Sequence, residues 1–78
     1  MNRTQESDIE EIMREWARWT LIDIKPDGAG YYEIHATGQP LDGWEIDEMV
    51  YLLEDVAGVQ YDGYSQSGNK HVIYVSVR

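Results

Sequence analysis

The chain has 78 residues, enough for one hydrophobic core but not two, because a chain of this size buries only about 60–65% of the surface it exposes when unfolded. Its 42% apolar content, with three Trp and six Tyr, places it among folding sequences, and the absence of Cys excludes a disulfide framework, a thiolate metal site and a Cys nucleophile. Fifteen acids against six bases give a net charge of −9, a field that repels nucleic acid and anionic lipid, so neither direct nucleic-acid binding nor membrane binding is expected.

Residues 1–6 are expected to be a flexible N-terminal tail and 7–78 a single domain. The segment MNRTQESDIEE lacks the apolar stretch of a secretory signal, and no apolar run approaches the ~20 residues needed to cross a bilayer. With no Cys, a reducing cytoplasmic setting is expected. Ser7-Asp8-Ile9-Glu10 has the S-x-x-E form of a capping box, which predicts a helix starting there. Ile9, Ile12, Met13, Trp16 and Trp19 follow helical spacing and form its buried stripe. On its outer side Glu10 and Glu11 can pair with Arg14, and Glu15 with Arg18, so this helix is expected to neutralise itself.

From Thr20 the pattern shortens to β-branched alternation, TLIDIK, then the turn signal Pro26-Asp27-Gly28-Ala29-Gly30, then YYEIHAT, which reads as a hairpin. Gly38-Gln39-Pro40 ends it. Asp42 and Glu45 make a second capping box, with Leu41 and Ile46 as a hydrophobic staple. The second helix carries the core stripe Ile46, Met49, Val50, Leu53 and Val56, and Gly58 is placed to stop it. VQYDGYS and HVIYVSV, joined at Gly68-Asn69, make a second hairpin. The two halves echo each other at an offset of 37 residues. The fold class is therefore α+β, in the order αββαββ: a four-stranded antiparallel sheet with two helices packed on one face, a ferredoxin-like layering.

Helices on one face leave the other to solvent. Strand alternation assigns Asp23, Tyr31, Glu33, Asp62, Tyr64 and Tyr74 to that open face, a set of tyrosines and acids. RNA-binding sheets place aromatics similarly but surround them with Lys and Arg, which are missing here. Between Pro26 and Asn69 there are nine acids and no Lys or Arg. Six of the nine lie on the second helix or at its start. Stepping about 100° per residue puts Trp44 and Tyr51 opposite the core stripe, Asp47 and Glu54 on one flank, Glu48 and Asp55 on the other. Asp42 and Glu45 extend this strip and suit the helix dipole, whereas Glu54 and Asp55, near the C-terminal end, oppose it. Aromatic rings among charges are a composition that protein interfaces favour. A cationic surface is the partner this strip rewards, and surfaces built to hold nucleic acid are the most cationic.

No phosphate-binding loop, nucleophile elbow or H-E-x-x-H helix is present, and His35 and His71 lack metal-site spacing, so no enzyme activity, metal or cofactor is expected. A solitary acidic αβ domain of this size resembles the small anti-CRISPR proteins of bacteriophages, particularly the DNA mimics acting on type I effector complexes. The resemblance rests on size, charge and layout across the whole chain. It implies a monomeric, non-enzymatic inhibitor in the bacterial host cytoplasm that occupies the DNA-recognising subunit of such a complex, with type I-C the subtype of choice. Two other readings stand beside it. One is a small assembly module that dimerises or docks through its open Tyr-rich sheet; the other is acidity as an adaptation to salt.

Overall fold

The computed structural model describes residues 1–78. Helix α1 (Arg3–Glu11) begins one turn earlier than the Ser7 signal indicates. Asn2 is the cap: its side chain accepts from Gln5 N–H at 2.8 Å, and its own N–H donates to Gln5 Oε1 at 3.3 Å. This N-x-x-Q box satisfies two N–H groups that would otherwise lack partners, leaving Ser7 inside the helix as an exposed residue. The expected tail is thus the helix start, and the terminal amine donates to Tyr32 Oη at 2.7 Å.

Both helices end in the same wide turn, Ile12–Trp16 after α1 and Leu52–Val56 after α2 (Gly43–Tyr51). Ala17 N–H donates to Ile12 O, and Ala57 N–H to Leu52 O, each five residues back. The extra residue per closure changes which positions face inward. After Leu53 the next buried position is Ala57, and Val56, expected in the core, is 54% exposed. Trp16 is likewise only half-buried. None of the expected ion pairs on α1 closes within 4.0 Å; the ion pairs in the chain are Lys25–Asp23 and Arg78–Glu54, and His35 is hydrogen-bonded to Glu33.

The hairpins are β1 (Thr20–Pro26) with β2 (Tyr31–Thr37), and β3 (Val59–Ser67) with β4 (Lys70–Val77). In the second, Gly68 alone of the two turn residues has positive φ, 62°, as a II′ turn requires. The sheet is antiparallel throughout, in the order β1-β2-β4-β3. Its centre is the β2–β4 pairing, where Ile34 faces Ile73. Both are fully buried, with Ala36, Val59 and Val75, beneath Ile9, Met13, Met49 and Leu53 from the helices. The two helices therefore share one face of the sheet.

The halves correspond more closely than their sequences suggest, and at an offset of 40 rather than 37. Asn2 and Asp42 both cap, Ile9 and Met49 are both buried, as are Met13 and Leu53, and Ala17 and Ala57 close the two wide turns. Arg18 and Gly58 both have positive φ, 57° and 71°. The inner strands correspond at 39, Ile34 with Ile73, so an approximate two-fold axis passes through that central pair.

Two strands depart from simple alternation: β1 between Thr20 and Asp23, where Leu21 has φ 51° and is exposed, and β3. A bulge between Tyr61 and Gly63 sets Gly63 opposite Tyr74 and Tyr64 opposite Ile73. Residues facing each other across strands share a side, so Tyr64 points inward with Ile73 and not onto the open face. There it meets two residues that sequence spacing did not connect. His71 is buried, its ring 4.0 Å from that of Trp19 at an interplanar angle of 13°. Tyr64 Oη lies 2.6 Å from His71 Nδ1, and His71 Nε2 lies 3.0 Å from Gly38 O. A carbonyl only accepts, so Nε2 carries a proton toward Gly38. Trp19 covers both rings, its Nε1–H donates to Gln39 O at 2.9 Å, and a Cβ on Gly38 would overlap its indole. This aromatic layer seals the core at the end of the sheet where Thr20, Thr37 and Lys70 align.

Candidate partner-binding edge on the second helix

The edge is built from the cap outward. Asp42 N–H donates to Glu45 Oε1 at 3.0 Å and Ile46 N–H to Asp42 O at 3.0 Å, which fixes where α2 starts and hence the angle of every later side chain. Asp42 and Glu45 are the two charges of the strip that build its cap. Met49 and Leu53 bind the helix to the core, so the opposite side faces solvent. Trp44 is 66% and Tyr51 60% exposed there. They lie seven residues apart, about 10.5 Å along the axis. Asp47, Glu48 and Asp55 are exposed as well and have no ion-pair partner.

Glu54 differs from its expected place on the outer flank. Within the wide turn it is directed toward β3, where it accepts from Tyr61 N–H at 3.3 Å and pairs with Arg78 at 3.7 Å. It secures the end of the helix to the start of the strand, and Arg78 is the one cation to reach the strip. The exposed surface is thus Trp44 and Tyr51 with Asp47, Glu48 and Asp55.

The second patch does not gather as expected. Tyr31 and Tyr74 are exposed on the open face, and Glu33 lies between them in register. Glu33 is bonded to His35 at 2.9 Å, Asp23 lies 3.9 Å from Lys25, and Asp62 accepts from Gln60 Nε2 at 3.0 Å. With Tyr64 turned inward, this face holds two tyrosines, diagonal neighbours on β2 and β4, among locally partnered charges. Burial raises the hydroxyl pKa of Tyr61, and of Tyr64, where the neighbouring Tyr61 charge adds to it. Both effects belong to the core side and not to the open face.

The Trp19–His71–Tyr64 layer was missed in the sequence because its members lie on β3, β4 and the connection before β1, and the bulge turns Tyr64 toward the others. A faint signal existed: YDGY places a Gly inside a strand pattern, which marks bulges. No helix is long and apolar enough to cross a membrane. Compared with protein-family models, with curated proteins and with solved structures, the chain matches none.

Proposed function

We propose that the chain is a non-enzymatic inhibitor whose α2 edge docks on the basic DNA-binding surface of another protein, and that this surface belongs to a type I CRISPR effector complex. One observation carries the reading. Two large aromatic rings stand in water beside three unpaired carboxylates, within a stretch from Pro26 to Asn69 that contains no Lys or Arg. Exposed Trp and Tyr forgo burial worth about 1–3 kcal/mol each, and Asp55 near the helix end opposes the dipole by about 0.3–1 kcal/mol. A binding partner offsets both. DNA carries a charge about every 1.7 Å of axis, and clustered carboxylates on a rigid helix approximate that density locally while the rings supply contact area.

Competition against DNA tests this directly. Titrated into a purified type I effector complex, the chain is expected to displace labelled target DNA with a one-to-one endpoint that weakens as salt rises. Undiminished DNA binding at a large excess of chain rejects the assignment. Docking through the sheet would show itself differently, as a concentration-dependent dimer in sedimentation lost on Tyr31→Ser with Tyr74→Ser.

A further inference from the structure

At the end of the sheet away from the hairpin loop of β1 and β2 lies a surface cleft of about 300 Å³, at the small end of the roughly 300–1,000 Å³ typical of small-molecule sites. It is lined by Arg18, Thr20, Thr37, Gly38, Gln39, Pro40 and Asn69, with no acid among them. In a chain with 15 acids and 6 bases, an acid-free cleft containing a cation stands out electrostatically. Acids near in sequence, Glu15 three residues before Arg18 and Asp42 two after Pro40, flank the lining without being part of it.

We infer that this cleft binds a small oxyanion, with Arg18 as its principal ligand. The first argument is what the lining leaves free. The other polar groups of the Gly38–Gln39 segment are bonded within the chain: Gly38 N–H donates to Asn69 O, Gly38 O accepts from His71, and Gln39 O accepts from Trp19. That leaves Gln39 N–H, the Thr37 hydroxyl and the Asn69 side-chain amide without a partner in the chain, and the Arg18 guanidinium without a carboxylate within 4.0 Å. All four belong to residues that line one cavity, and the aromatic layer behind Gly38 holds the Gly38–Gln39 backbone in place.

The second argument comes from the two-fold correspondence. Position 18 matches position 58, and both adopt the left-handed backbone that ends the helix. The second half uses Gly there, the residue this conformation favours. The first half keeps an arginine at φ 57°, a conformation that costs a side chain about 1–2 kcal/mol. The second half also has no matching cleft. Leu21, exposed at φ 51°, carries the same cost with an apolar side chain, so what sets Arg18 apart is that its strained position brings a cation to a donor-lined cavity.

The test uses the intact chain, inorganic phosphate and acetate as probes, and sodium chloride at matched ionic strength as control. Chemical shifts of the Trp19 indole N–H and of the Gly38, Gln39 and Asn69 amides should saturate with phosphate or acetate and not with chloride. The probe that binds more tightly identifies tetrahedral or planar oxyanions as the ligand class. Arg18→Gly suits the backbone and should therefore fold, and it should weaken binding at least about tenfold, since charge-assisted bonds are the strong ones. Asn69→Asp, which adds a charge to the lining, should weaken it comparably. Equal shifts in chloride, shifts located elsewhere, or unchanged affinity in both variants would overturn the assignment.

Discussion

Residues 2–37 and 42–77 pass through the same events: a capping box, a helix, a wide terminal turn, a left-handed residue and a hairpin. What they share is what the fold needs. Ile9 and Met49, Met13 and Leu53, Ile34 and Ile73 are buried at matching places around one axis. Their solvent-facing residues diverge. Thr4, Ser7, Asp8, Glu11 and Glu15 on α1 and its turn stand where Trp44, Asp47, Glu48, Tyr51 and Asp55 stand on the second helical segment. Both edges carry acids, but only α2 sets aromatic rings among them, and α1 also contains or adjoins Arg3, Arg14 and Arg18. The comparison separates residues that specify structure from those free to specify a partner. It points to the α2 edge in one half and to Arg18 in the other.

Breaking the shared positions should cost the most, and about equally in the two halves. Met13→Ala and Leu53→Ala should each lower unfolding free energy by about 2–5 kcal/mol, a large part of the total for a domain this small. Urea denaturation checks this, and a marked inequality would show that one half dominates the core. Gly38→Ala has no counterpart to compare, and it forces a Cβ against the Trp19 indole. Overpacking of this kind should cost about 1–3 kcal/mol and should alter the Trp19 fluorescence environment.

Smaller changes sharpen the comparison at the helix ends. Asn2→Ala and Asp42→Ala each remove a cap and should cost about 1 kcal/mol, lowering Tm by roughly 4–8 °C. Position 18 and position 58 should respond with opposite sign. Gly58→Ala puts a side chain at φ 71° and should destabilise by about 1 kcal/mol, whereas Arg18→Gly should be neutral or slightly stabilising. The smallest effect is in pH. Tyr61 and Tyr64 have hydroxyl pKa values raised by burial above the ordinary 10.0. The folded form therefore keeps these protons after the unfolded chain has begun to lose them. Their contribution is fully present below pH 10 and falls as pH rises beyond it. Tyr61→Phe should flatten the alkaline limb of a Tm–pH profile.

Much of this architecture is legible in the sequence, since helical spacing in Ile9, Ile12 and Met13 and in Ile46, Met49 and Leu53 is a local property. So are the Asp42–Glu45 cap, the Gly68-Asn69 turn, and the outward setting of Trp44 and Tyr51. What was illegible depends on geometry that spacing does not encode. An ideal helical wheel carries Val56 into the core and Glu54 onto the outer flank; five-residue closure at the end of α2 reverses both. Strict alternation puts Tyr64 outside, and a bulge at Asp62 puts it inside. At the first helix the sequence pattern predicts Ser7-x-x-Glu10 as the cap, whereas the structure uses Asn2-x-x-Gln5. The Asn2 cap lies five residues before Ser7, and Ile9 is buried within the helix it starts.

The docking of the α2 edge is tested most directly by measuring affinity for a type I effector complex with Asp47, Glu48 and Asp55 all changed to Lys, against a second protein with Glu6, Glu10 and Glu15 so changed. Circular dichroism establishes that both variants remain folded. The account predicts at least a hundredfold loss for the α2 variant and less than about threefold for the α1 variant. Equal affinity in the α2 variant and the unaltered chain would contradict it.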